Sequence, residues 1–396
     1  MRVFVAWDDP AEAELIALLL GVGDNRVTIR TGTLTVLEAL IGPNEWDAIV
    51  FPIPEPDDPA TLDAFLRIRR EIPDCPVIAA CFLKSMIRVA AYLANGLRSY
   101  VVRDEARDFI SLLPSTLSST IEAVQAERER LISSRLREEV DSVRQLQEAM
   151  IPARLPMPTG YRIAGRYEAS QLHVLGGRPV ILAGGDYFDV FEGDGDNTFV
   201  LLGDAAGHGM KACLSIMIMH TLVQMIRDRQ YEDTATFVAA VNRHLCAQPV
   251  IREGGGFITL LFGRLNSRTH EFEWTSAGHP VPLLHCRSGD YFVPLGTNDD
   301  GGMALGIVDD AEYISLRSYV PPGSRMLLYT DGLEEAFPSG GDQCQQFGMD
   351  GITRTLRNFR GYHLEDAMQG LFDASHLHTE GDGRHDDTTV VLIDRL

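Results

Sequence analysis

Between Leu117 and Met150 the chain carries no glycine and is rich in Glu, Arg and Gln, and no other stretch limits its folding more. Apolar residues at Leu117, Ile121, Val124, Leu131, Leu136, Val140, Val143, Leu146 and Met150 form one stripe of a long helix, with a break expected near Ser133-Ser134. A parallel coiled coil of two chains would bury that stripe, and so would packing on the chain's own domains. The helix is expected to end before Pro152, with Pro156 and Pro158 marking a linker. A chain of 396 residues is too long for one ordinary core. The expected division is therefore residues 1–116, a helical segment 117–151 and a second domain 152–396.

The first part alternates short β-branched runs with amphipathic windows. Val3–Ala6, Val27–Arg30, Ala48–Phe51, Val77–Cys81 and Ser99–Val102 read as strands; Ala11–Leu20, Thr35–Ile41, Ala60–Glu71, Ser85–Asn95 and a segment from about Glu105 read as helices. This cadence predicts a doubly wound α/β domain with a parallel sheet. The pattern resembles the receiver domain of bacterial response regulators, with Asp8 and Asp9 in the place of its Mg²⁺-holding acidic pair. The resemblance stops at the chemistry. Pro52 stands where the phosphorylated aspartate belongs, Cys81 in the place of the switch Thr/Ser, and Arg103 in the place of the lysine before the last helix. A receiver fold that cannot be phosphorylated in the usual way is expected, with Asp8 and Asp9 as turn residues.

From about Tyr161 onward, alternating strands, glycine turns and hairpin signals predict a mostly antiparallel α+β domain. Four acidic turns stand out: Gly184–Asp189 (GGDYFD), Gly203–Gly209 (GDAAGHG), Thr330-Asp331-Gly332 and His385–Thr389 (HDDTT). Singly each is ordinary turn chemistry. Asp204 and Asp331, however, each follow an apolar strand, and Asp386 precedes one, so adjacent strands can bring these carboxylates together. Several carboxylates share a small volume only when cations neutralise them, and oxygen-only ligands favour Mg²⁺ or Mn²⁺.

With the run Gln145–Pro156 and the motifs Gly256–Arg264, Ser276–Pro280, TDGLEEA and DDTTVVLI, these segments resemble, in family order, the sporulation-E branch of the metal-dependent (PPM) protein phosphatases. The resemblance implies two stacked antiparallel sheets flanked by helices, with two Mn²⁺ or Mg²⁺ ions at one end between the sheets. It implies metal ligation by Asp186, Asp204 (bridging both ions), the Ala205 carbonyl, Asp331 and Asp386. Asp189 falls on the opposite strand face from Asp186, so it and Asp387 are assigned to structure or support. His208 is a candidate donor to phosphate or proton-transfer group, or else a turn histidine bonded to nearby backbone; His279, before Pro280, reads as structural. No Cys-x5-Arg loop or Ser-His-Asp set points to a covalent mechanism.

The implied activity is hydrolysis of a phosphoserine or phosphothreonine protein, with an anti-sigma-factor antagonist of the STAS type as substrate in a partner-switching pathway. The first domain and helix would then form a regulatory input that binds an upstream protein, and the helix a homodimer contact. Competing readings are a pseudophosphatase adaptor that binds a sigma or anti-sigma factor, and a metal-binding scaffold without turnover. The balance of 35 Lys+Arg against 56 Asp+Glu, net −21, opposes nucleic-acid binding. The six scattered cysteines, the lack of a bilayer-length apolar run and an N-terminus that does not resemble a signal peptide lead to the expectation of a cytoplasmic protein with no membrane contact.

Overall fold

Five strands rich in Val, Ile, Ala and Phe, β1 (Arg2–Trp7), β2 (Arg26–Thr31), β3 (Ala48–Pro52), β4 (Val77–Phe82) and β5 (Ser99–Arg103), form a parallel sheet in the order β2-β1-β3-β4-β5. This is the strand order of flavodoxin-like doubly wound domains. Helices α1 (Pro10–Leu20), α2 (Leu34–Leu37), α3 (Pro59–Glu71), α4 (Met86–Ala94) and the start of α5 (Phe109–Glu148) connect and cover the strands. Alternation along β1 sends Val3, Val5 and Trp7 to one face, where Ile16, Phe109, Leu113 and Leu117 pack, and Phe4 and Ala6 to the other, with Phe65 and Tyr92. In this computed structural model the described residues are all except 23–24, 38–45, 56–57, 173–179, 182–183, 208, 228, 230, 339–344 and 380–385. The helix expected over Thr35–Ile41 therefore lies partly outside the described residues.

Helix α5 runs unbroken through Ser133-Ser134, contrary to the break expected there. Two serines cost a helix only a few tenths of a kcal/mol each, and neither glycine nor a proline lies near enough to interrupt the hydrogen-bond ladder. The chain divides into compact units at Leu136/Arg137, inside this helix. None of the described helices is long and apolar enough to cross a membrane. Cys75, Cys81, Cys213, Cys246 and Cys286 are free thiols.

The second unit holds two five-stranded antiparallel sheets. Strands β6 (Tyr161–Glu168), β9 (Asp186–Glu192), β10 (Asn197–Ala205), β11 (Ile258–Asn266), β12 (Glu271–Ala277), β13 (Leu283–Cys286), β14 (Tyr291–Pro294), β15 (Leu316–Tyr319), β16 (Arg325–Tyr329) and β17 (Thr388–Arg395) assemble as β15-β12-β11-β10-β9 and β14-β13-β16-β17-β6. Short strands β7 (Gln171–Leu172) and β8 (Val180–Ile181) pair with each other. Phe188, Val190, Val200, Leu202, Leu261 and Trp274 of the first sheet meet Met326, Leu328, Val391 and Ile393 of the second in a closed core. The outer face of the first sheet is covered by α6 (Met210–Ile226), α7 (Thr234–Cys246) and α8 (Pro249–Gly254), that of the second by α9 (Asp331–Glu334), α10 (Gly348–Asn358) and α11 (Leu364–His378). Arg325 is fully buried and fixes the second sheet: it donates to both Asp394 oxygens (2.7 and 2.9 Å) and to the Phe359 and Tyr362 carbonyls (3.3 and 3.2 Å).

In the first unit, the acidic end of the parallel sheet is closed by the chain's own cation. Arg103, 6% exposed, pairs with Asp8 (3.0 Å) and Glu12 (2.6 Å) and lies over the Phe82 and Trp7 rings, 4.7 and 5.1 Å from their centroids. Glu12 also accepts from Trp7 Nε1 (2.9 Å), while Asp9 caps α1 through the Ala11 N–H (2.8 Å). Pro52 ends β3 with no nucleophile. Removing one member of a buried ion pair leaves the other charge without compensation, which costs about 3–5 kcal/mol. Arg103→Leu is therefore expected to lower the stability of this unit by that order in denaturant unfolding of the full chain, and Glu12→Leu added to it to restore much of the loss. Equal stability of wild type and Arg103→Leu would refute the closing role of the arginine.

Candidate metal centre

The core between the two antiparallel sheets changes chemistry at one end. On β9 the inward row Val190, Phe188 continues to Asp186; on β10 the inward row Val200, Leu202 continues to Asp204. Antiparallel register places these two acids opposite each other. From the facing sheet, the row Met326, Leu328 continues to Thr330 and the row Ile393, Val391 to Thr389. Each apolar row thus ends in an oxygen.

Asp186 is 1% exposed, and its Oδ2 accepts from the hydroxyls of Thr330 (2.6 Å) and Thr389 (2.8 Å). The Thr389 N–H in turn donates to Thr330 Oγ1 (2.8 Å). Two hydroxyls from one sheet therefore aim a carboxylate of the other. Asp331, half-buried, begins α9 directly after Thr330, and Asp386 stands exposed before β17. The acids run from a buried floor at Asp186 to a rim at Asp386.

Their electrostatics show a site short of positive charge. Burial pushes Asp204 up to about 8, and the charges of Asp331, Asp386 and Asp387 add to this. Asp186 is raised well above the carboxylate range by burial and then by Asp204 and Asp387. Burial likewise lifts Asp331, and partial loss of water around the Asp386 carboxyl, with the charges of Asp387, Asp331 and Glu335 beside it, lifts that group to about 6. Among the described residues no group of three or more acidic, His or Cys side chains is arranged so that it could hold a metal ion without rearrangement. The donor set nonetheless fits hard divalent cations: it is all oxygen, its members repel one another, and a cation between them relieves that repulsion.

Around the acids the backbone packs closely. Gly207 and Gly209 sit at φ +84° and +80°, which a side chain strains to adopt. At Gly185 a Cβ would come 2.8 Å from the Ala205 carbonyl oxygen, and at Gly332 it would collide with the Asp387 carbonyl. Asp387 accepts the Ser170 N–H (2.7 Å) and the Gly185 N–H. Asp189 lies on the helix-facing side of β9 and accepts from Gln224 Nε2 (3.2 Å). His279 is buried, bonds Thr259 Oγ1 through Nδ1 (2.9 Å), and is pushed down to about 3 by burial. His208 lies outside the described residues, as does His385.

Sequence reasoning missed the two threonine hydroxyls and Gln147, whose side chain is bonded to the backbone of Gly184 and Asp186. Thr330 and Thr389 were visible only as motif letters; the same inward parity that selects Asp186 and Asp204 would have selected them.

A family model described as Stage II sporulation protein E (SpoIIE) matches residues 194–396, just over half of the chain. Phosphoserine phosphatase RsbU of Bacillus subtilis (strain 168) is 20% identical over 267 residues, covering 67% of this chain and 72% of RsbU. Phosphoserine phosphatase RsbP of the same organism is 22% identical over 211 residues, covering 53% of this chain and 49% of RsbP, so the match spans about half of that relative. The SiaA-PP2C domain of Pseudomonas aeruginosa shares the fold with a TM-score of 0.52 at 17% identity, over 67% of this chain and 98% of that domain. The matched family region takes in Asp204, Asp331 and Asp386, and on this match the chain belongs to the SpoIIE family of metal-dependent (PPM) protein serine/threonine phosphatases.

Proposed function

We propose that this protein hydrolyses phosphoserine or phosphothreonine on a partner protein, at a centre where Asp186, Asp204, the Ala205 carbonyl, Asp331 and Asp386 hold two Mn²⁺ or Mg²⁺ ions. The observation that carries this reading is the convergence of carboxylates from separate strands, raised by burial and by one another's charge. Cations bound there supply Lewis-acid activation of water and neutralise the phosphoryl oxygens during in-line attack. The chain's own contribution is to orient them. Thr330 and Thr389 fix the Asp186 carboxylate, Asp387 clamps the Gly185 backbone, and Asp386 stands exposed at the rim.

The substrate class follows from the family: RsbU and RsbP are named phosphoserine phosphatases, and a phosphorylated STAS-type anti-sigma-factor antagonist is the partner this reading assigns. The N-terminal unit acts as a pseudo-receiver, regulated by binding an upstream protein. Pro52 supplies no phosphate acceptor, and the Arg103 guanidinium already neutralises Asp8 and Glu12. A homodimer contact along α5 is supported by the exposure of Leu131, Ile132, Leu136 and Leu146.

Three outcomes test these assignments. Asp204→Asn is expected to reduce Mn²⁺-dependent phosphate release from a phosphoserine protein to the metal-free background; unchanged turnover would remove Asp204 from the centre. The same substitution has opposite effects with and without metal. A carboxyl raised in the folded chain binds protons more readily there, so its contribution to metal-free stability is full below about pH 4 and is lost as pH rises through about 8. At pH 7 Asp204→Asn therefore raises the metal-free melting temperature by a few degrees, while cancelling the stabilisation of about 2.7 kcal/mol that Mn²⁺ at 100 times its Kd gives the wild type. A lower metal-free melting temperature would contradict the repulsion argument. Finally, a small phosphodonor is expected to leave the N-terminal unit unlabelled, and stoichiometric labelling would overturn the pseudo-receiver assignment.

A further inference from the structure

On β11 the inward row Leu265, Leu261 continues to Thr259, which is part-buried and stands opposite Asp204 in the strand register. Asp204 is itself opposite Asp186, so three oxygen-bearing side chains lie abreast on β9, β10 and β11. Residues directly opposite on one face of a sheet hold their Cβ atoms about 5 Å apart. The Thr259 hydroxyl is thus a neutral neighbour of the Asp204 carboxylate, at the end of the sandwich where the acids gather.

A buried histidine holds that hydroxyl. His279, 4% exposed, meets Thr259 Oγ1 through Nδ1 (2.9 Å). Its backbone is fixed by the Ser276–Pro280 turn, in which Ser276 Oγ accepts the His279 N–H (3.0 Å) and donates to the His279 carbonyl (2.7 Å) around Gly278 at φ +71°. Nε2 is buried without a hydrogen bond among the described residues, and the Tyr329 backbone is the neighbour that favours a ring proton. A neutral imidazole carries its proton on one nitrogen only. With that proton on Nε2, Nδ1 can only accept, so the Thr259 hydroxyl donates to it and keeps both oxygen lone pairs for other donors. Burial pushes the ring down to about 3, so at neutral pH it takes no proton through Thr259. It orients the hydroxyl and does not act as a base.

We propose that Thr259 contacts the water that attacks phosphorus and that His279 is its positioning residue: the hydroxyl, turned by Nδ1, accepts one O–H of that water and so aims the water's lone pair at the phosphoryl group. The proposal rests on the phosphatase reading above and adds to it a pair of residues that holds no cation. A fixed acceptor confines the water to a narrow range of orientations before attack, which is where enzymes gain much of their advantage over free solution.

The test uses the full chain. Thr259→Val keeps the side-chain shape and removes the hydroxyl, whereas Thr259→Ser keeps the hydroxyl; His279→Leu removes the acceptor, whereas His279→Asn keeps an amide oxygen near the Nδ1 position. Phosphate release from phosphoserine casein is followed with Mn²⁺, Mn²⁺ binding is measured by calorimetry without substrate, and the ring proton is located by nitrogen NMR of histidine-labelled, metal-free chain. Loss of a supporting contact beside a metal centre commonly costs about 10- to 100-fold. Thr259→Val and His279→Leu are each expected to lower kcat by that factor, with KM and the Mn²⁺ Kd unchanged, and the two together to cost no more than either alone, because they break the same contact. Thr259→Ser and His279→Asn stay close to wild type. The His279 ring is expected to carry its proton on Nε2, and its Nδ1 resonance to shift in Thr259→Val. A proton on Nδ1 overturns the proposal, as does wild-type kcat in Thr259→Val; a raised Mn²⁺ Kd in that variant also overturns it, by making the hydroxyl a cation ligand. If His279→Leu fails to fold, the two Thr259 variants and the ring spectrum decide by themselves. A wild-type chain without turnover refutes the phosphatase reading, and this proposal falls with it.

Discussion

The bond between the Asp186 carboxylate and the hydroxyls of Thr330 and Thr389 joins the two antiparallel sheets at the end where their apolar core stops. Through the core the sheets adhere by non-directional burial of Phe188, Leu202, Leu328 and Val391, and Arg395 of β17 donates to the Tyr319 hydroxyl of β15 (3.0 Å). At the Asp186 end the contact is directional, and it fixes one acid of the first sheet relative to Asp331 and Asp386, which flank the second. The geometry of the centre is therefore a property of the sandwich as a whole. It also explains why so polar a cluster is tolerated: Asp186 is buried, but its Oδ2 accepts from two hydroxyls, which offsets part of the desolvation penalty.

The chain contains two acidic clusters at strand ends, and they have opposite fates. In the N-terminal unit, Asp8 and Glu12 find a buried arginine with aromatic rings beneath it, so the charge is balanced within the fold. In the C-terminal unit, the strongest electrostatic influences on Asp204 after burial are other carboxylates. The first cluster is complete as it stands. The second gains from a cation, and that difference separates a structural acid pair from a candidate catalytic one more clearly than the count of acids does.

Much of this was legible in the chain because strand alternation is strict. The parity of Val200, Leu202 and Asp204, and of Phe188 and Asp186 against Asp189, separates core-facing from helix-facing acids before any coordinate is known. The βα cadence of the first hundred residues is equally direct, and β1, β3, β4 and β5 lie within a residue or two of their expected bounds. What was not legible depends on distance in space. Helix α5 begins at Phe109 and packs Leu113 and Leu117 on the parallel sheet, whereas the compositional change at Leu117 suggested a separate segment from there. Nothing in the run Gln145–Pro156 distinguishes Gln147 from Gln145, because only the former meets the Gly184 backbone, 37 residues away.

The claim on which all this depends is that the oxygens at the end of the sandwich bind a pair of divalent cations. Diffraction from Mn²⁺-soaked crystals, recorded on both sides of the manganese absorption edge, tests it most directly. The account predicts two anomalous peaks beside Asp204, within bonding distance of carboxylate oxygens from Asp186, Asp331 and Asp386. Peaks confined to surface carboxylates elsewhere, with none beside Asp204 at saturating Mn²⁺, would contradict it.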